Sequence, residues 1–121
     1  MQFVLLIIHA DPARWNSLTT DQRNEVHEAC GVWHQELVDK GVAVHAVGLQ
    51  APDTTTVVRQ KSGSVIVTDG PFSESKEVIG GFEIIDCASK EEAIAIAGRF
   101  PALDAGAVIE VRPTVTGPCK D

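Results

Sequence analysis

The chain predicts an α+β fold: a split βαβ pattern with a β-hairpin inserted in it. Extended and helical patterns alternate in the order strand, helix, strand, hairpin, strand, helix, strand. Residues 2–8 and 79–86 are apolar on both faces, the pattern of central strands covered on two sides. Two helices cover only one face of a sheet, so the other apolar face needs a cover of its own, and a second copy of the chain is the simplest one. The expectation is therefore a ferredoxin-like sheet in a homodimer, with the two most apolar strands at the sheet centre.

Each element has its own reason. The opening strand, 2–8, is a run of Phe, Val, Leu and Ile. A polar connection containing Pro12 follows over residues 10–19. Thr20 then caps a helix from Asp21 to Lys40, and Gly41 ends it. On that helix Val26, Ala29, Cys30, Trp33 and Leu37 fall in one arc at about 100° per residue. Gly31 sits mid-helix at a cost of about 1 kcal/mol against Ala. Residues 42–49 read as the second strand, and Thr54–Gln60 with Ser64–Thr68 as a hairpin closed by Lys61-Ser62-Gly63. After strand 79–86, Ser89 caps a short helix over residues 90–99, with Glu91 and Glu92 where the helix dipole favours them. Ala107–Arg112 is the last strand, stopped by Pro113. Residues 1–113 read as a single domain and 114–121 as a loose tail.

Composition narrows the function classes. A chain of 121 residues has enough length for a real core, and its hydrophobic fraction of 44% argues against disorder. A net charge of −7 without a basic run argues against nucleic acid and against anionic membrane surfaces. The apolar start is too short for a signal peptide, no basic residue precedes it, and no stretch approaches a membrane span. Cys30, Cys87 and Cys119 are odd in number and form no CxxC, which predicts free thiols in a cytoplasmic protein. His27, Cys30 and His34 share one helix face. The two histidines stand about 10.5 Å apart along the axis, so no metal is expected there. Phosphate-binding glycine loops, serine nucleophile elbows and redox pairs are missing from the sequence, so no cofactor is expected.

Polar residues inside apolar strands are the best functional pointers, because a buried charge must be paired or useful. Alternation puts Val108, Glu110 and Arg112 on one face of the last strand. Assigning the apolar faces to the helices turns Glu110, Arg112 and Glu83 away from them. His9 ends the first strand, near the start of strand 79–86. His9, Asp69, Glu83, Glu110 and Arg112 are thus expected to converge at one sheet end or between two sheets. Two structural alternatives stay open: a Glu110–Arg112 ion pair, and an Asp69 side chain that only caps its own turn. His45, in the second strand, reads as a satisfied, partly buried histidine.

The stretch Val67-Thr68-Asp69-Gly70-Pro71-Phe72, with Ser73-Glu74-Ser75-Lys76-Glu77 behind it and Gly80-Gly81-Phe82 closing it, is a stiff turn between two strands. Together with Phe3-Val4-Leu5-Leu6-Ile7, Leu49-Gln50-Ala51-Pro52 and Val108-Ile109-Glu110-Val111-Arg112-Pro113, it resembles the DGPF proteins, a branch of the YCII-related family. The resemblance implies a dimeric α+β barrel. It also implies an acid–base pair, a His on the first long helix and an Asp before a Pro after the second helix. Those positions fall here at about Cys30 and on Phe100-Pro101, so neither side chain is present.

The reading is a small-molecule enzyme or binder acting on an anionic or lactone-like organic compound in a barrel cleft. His9 or Asp69 would serve as base, Arg112 as an anion clamp, and Phe72, Glu83 and Glu110 as further lining. The alternative that the resemblance implies is a non-catalytic accessory or regulatory protein linked to extracytoplasmic-function sigma factor signalling.

Overall fold

The computed structural model describes residues 1–71 and 78–116. Its main sheet has four antiparallel strands: β1 (Gln2–His9), β2 (Ala43–Gly48), β5 (Val78–Asp86) and β6 (Ala107–Pro113), in the order β2-β5-β1-β6. The two double-sided apolar strands, β1 and β5, are the central pair, as pattern and topology together require. The hairpin β3 (Thr56–Lys61) and β4 (Ser64–Asp69) forms a separate two-stranded sheet. Its turn puts Ser62 and Gly63 at φ 52° and 79°, the left-handed pair that tight hairpins use.

Three α-helices accompany the strands: α1 (Pro12–Asn16), α2 (Thr20–Asp39) and α3 (Lys90–Gly98). The connection over residues 10–19, read as a polar connection containing Pro12, contains α1. Asp11 is its N-cap, Oδ1 accepting from Arg14 N at 3.1 Å, and Pro12 stands at its first position, where a missing N–H costs nothing. The start of α2 also shifts by one residue: Thr19 is the N-cap, in a reciprocal capping box with Gln22. Arg23, one turn into α2, donates to the carbonyls of Trp15 and Asn16 at 3.2 and 3.0 Å and lies over the Trp15 ring, so it latches α1 to α2. Short 3₁₀ turns at Pro52–Thr54 and Pro101–Ala105 complete the described chain.

The core lies between the helices and one sheet face: Phe3, Leu5, Ile85, Trp33, Leu37, Ala93, Ile96, Ala97 and Phe100. Trp33 Nε1 donates to the Ile96 carbonyl at 3.1 Å and its ring meets Phe100 edge-on at 5.0 Å, satisfying the polar end of a buried indole. Register settles which strand residues face this core. Leu5 stands opposite Glu83 on one side and Val111 on the other, so all three share the helix-facing side. Ala107, Ile109 and Val111 face the helices as alternation on β6 predicted. On β5 the assignment is reversed: Glu83 and Ile85 are buried under the helices, while Phe82 and Ile84 point the other way. Alternation separates two faces without saying which is inner, and a carboxylate can be the inner one when a helix supplies its partner.

Candidate functional site

Between the helices and the His9 end of the sheet lies a cavity of about 720 Å³. Its walls come from the ends of β1, β2 and β5, from α1 and α2, and from the 3₁₀ turn at Pro101–Ala105. Most are apolar, among them Ile7, Trp15, Leu49, Pro52 and Phe100. His9, Asp11, Asn16, His27 and Cys30 are the lining residues with polar side chains. No Lys or Arg lines the cavity among the described residues.

Local sequence explains how these groups arrive there. His9 follows Phe3, Leu5 and Ile7 on the helix-facing side of β1, and its ring sits over Gly80. That glycine is the extra residue of a β-bulge: Ile7 pairs with Gly81, Ile8 with Ile79, and Gly80 falls between. A Cβ at Gly80 would run into the His9 imidazole, so the first glycine of Gly80-Gly81 makes the seat for the ring. His27 packs on Trp15 at 5.2 Å between ring centroids. Cys30 is a half-buried free thiol, and burial pushes its pKa above the ordinary value, against a weaker lowering by a backbone hydrogen bond at Ala102. Gly106, at φ 98°, lets its carbonyl accept from Ala10 and Asp11 at 3.2 and 3.1 Å, which ties the start of α1 to the start of β6 beside the cavity.

A smaller cavity of about 400 Å³ adjoins it, sharing Ile7, Cys30, Gly48, Gly80 and Phe100. There His34 of α2 meets Glu83 of β5, Nδ1 to Oε1 at 2.6 Å, with the Glu83 side chain 2% exposed and that of His34 39%. Burial raises the Glu83 pKa, while the hydrogen bond from His34 and the charges of His34 and His45 pull against that shift.

The residues expected to converge do so only in part. His9 lines the main cavity, and Glu83 lines the adjoining one from the helix-facing side of the sheet. Glu110 and Arg112 lie on the opposite face, exposed, as an ion pair at 3.7 Å. Because β6 register sets Arg112 against Val4, it sits well back from His9 along β1. Asp69 is exposed at the end of β4, opposite Thr56, where Gly70 at φ 91° donates to the Thr55 carbonyl at 2.9 Å. It lines neither cavity. Phe72 and the stretch Ser73–Glu77 lie outside the described residues, as do Cys119 and most of the tail.

Asp11, Trp15, His27 and Cys30 were not expected as a group. The Asp11-Pro12 pair is a helix-start signal that would have revealed α1, and with it one wall of the cavity. Among the described residues no group of three or more His, Cys, Asp or Glu is placed to hold a metal ion. No described helix is long and apolar enough to cross a membrane.

An antiparallel sheet backed by helices, with a mostly apolar cavity at one end, defines an α+β protein with a recess of small-molecule size. The YCII-related domain matches residues 1–115, and the chain belongs to the YCII-related family. It is also similar to an uncharacterized protein of Rhizobium meliloti (strain 1021), 28% identical over 89 residues, which is 74% of this chain and 72% of that relative. Leu49, Ala51, Pro52 and Gly80, from the segments that carry the DGPF resemblance, all line the main cavity, as do Cys30 and Phe100.

Proposed function

We propose that the protein binds, and through His9 acts on, a small neutral organic compound with a polar carbonyl or hydroxyl group, the lactone-like class rather than an anionic one. The cavity of about 720 Å³ carries this reading. Its volume suits a small ligand, and its walls are apolar apart from a few polar side chains, as in ligand pockets generally. The preference for a neutral compound follows from the absence of Lys and Arg in the described lining. An anion entering such a recess would lose hydration without gaining a counter-charge. Arg112, the expected clamp, is 71% exposed and turned to the other sheet face. A half-buried reduced thiol on the wall supports a reducing, cytoplasmic setting.

An accessory or regulatory role tied to sigma factor signalling would need no such cavity. A second copy of the chain on the free sheet face belongs to the same proposal, since Val4, Leu6, Phe82 and Ile84 of the central strands look that way.

Screening neutral lactones, ketones and phenols by thermal shift tests the reading. A ligand at about 100 times its Kd raises stability by about 2.7 kcal/mol. The stabilisation should disappear in Gly48→Leu, where an added Cβ meets no atom within 4 Å and the longer side chain would take up space beside both cavities. Stabilisation that persists in Gly48→Leu, or a screen with no stabilising compound, counts against the cavity.

A further inference from the structure

We propose that His34, held by Glu83, is a proton-accepting site for the hydroxyl group of a phenol or enol whose apolar body occupies the adjoining cavities. This rests on the cavity reading above, narrows its ligand class, and adds to His9 a second proton-accepting group in the adjoining cavity.

Glu83 is the one buried charged residue of the described core. Leu5 and Ala46 flank it in register, so its directly paired neighbours are apolar, and the one charge from a neighbouring strand is the more distant His45. Its close partner is His34 Nδ1, and an ionised carboxylate can only accept, so the Nδ1 hydrogen is the one donated. The other ring nitrogen, Nε2, is then an acceptor, and none of the described residues bonds it. This is the base-and-orienter arrangement in which a buried carboxylate fixes the imidazole tautomer and stabilises the imidazolium formed when Nε2 takes a proton. Glu83 is the positioning residue. The other titratable groups near the pair are His45 from β2 and the Cys30 thiol from α2, and no Lys or Arg lines either cavity among the described residues.

The ligand class follows from that inventory. An organic anion would meet a buried carboxylate with no cation to offset it. A neutral hydroxyl compound brings its own proton. The O–H bond breaks, its electron pair stays on oxygen, and the proton bonds to His34 Nε2. The imidazolium lies between two negative groups, the bound oxyanion and Glu83. No oxidant or reductant is involved, and return of the proton restores the start. Cys30, Gly80 and Phe100 border both cavities, so an aromatic body can extend from the dyad toward His9.

Two probes of nearly equal shape test this: 4-nitrophenol, yellow only as the phenolate, and 4-nitroanisole, which has no proton to give. The wild-type protein should bind the phenol about tenfold more tightly than the ether, the worth of one charge-assisted hydrogen bond. It should turn the bound phenol yellow below the pH at which the free phenol ionises. His34→Gln should abolish the yellow form. Glu83→Gln, which can still accept from Nδ1 but carries no charge, should move the ionisation of the bound phenol to higher pH. Equal affinity for phenol and ether in the wild-type protein overturns the dyad while leaving cavity binding standing, as does a yellow complex that survives His34→Gln. Failure of both probes to bind the wild-type protein overturns the dyad and counts against the cavity as well.

Discussion

Glu83 shows how much one side chain decides. Its burial opposes ionisation, and the hydrogen bond and charge of His34 recover only part of that cost, so its folded pKa lies above the ordinary carboxylate value. The folded protein then holds this proton at pH values where the unfolded chain has released it. Stability from this group is therefore full below the ordinary carboxylate range and falls as pH rises toward the raised folded value. Urea unfolding across that range should show this loss in the wild-type protein, and Glu83→Gln should remove that part of the slope. An unchanged slope would mean that Glu83 is as well solvated folded as unfolded. The sequence marked Glu83 as functional in kind, a charge in an apolar strand, but placed it on the wrong face. Which face is inner depends on where His34 lands, and that contact joins residues 49 positions apart.

At the level of the element, β5 carries the most local information. Its two glycines are not equivalent. A Cβ on Gly80 would press on the His9 ring, the far end of a side chain that can swing away. A Cβ on Gly81 would press on the Val47 carbonyl and the Gly48 backbone of β2, which cannot. Gly81→Ala should therefore cost roughly 1–3 kcal/mol in thermal or urea unfolding, as overpacking does. Gly80→Ala should cost less but displace His9 and weaken any cavity ligand. The reverse order of stability losses would contradict this account of the bulge. Strands, hairpin and the helices α2 and α3 were legible because each carries a periodic apolar pattern, a cap or a turn signal of its own. Helix α1 carries only the Asp11-Pro12 start signal, since five residues of mixed polarity give no period, and its role as a cavity wall depends on Arg23 latching it to α2.

For the whole molecule, the sheet face away from the helices is where apolar side chains stay partly exposed. Val4, Leu6, Phe82 and Ile84 are half-buried there, Val108 is 47% exposed, and no described helix covers them. Packing a second copy on this face would bury them and bring the Glu110–Arg112 pairs near the interface. Light scattering should give a dimer at micromolar concentration, and Val108→Asp should dissociate it, since a charge would be buried without a partner. A folded wild-type monomer at that concentration would rule this interface out. The strand order has a further consequence, for how the chain is made. Strand β1 is synthesised first, yet its neighbours are β5 and β6, at residues 78–86 and 107–113. The most apolar strand therefore leaves the ribosome with both edges bare and gains its second partner only when the last strand emerges. The β3–β4 hairpin, whose pairs are all local, needs no such wait. Until those strands arrive, nascent β1 exposes both an apolar surface and two unpaired edges, an aggregation risk that the finished fold no longer carries.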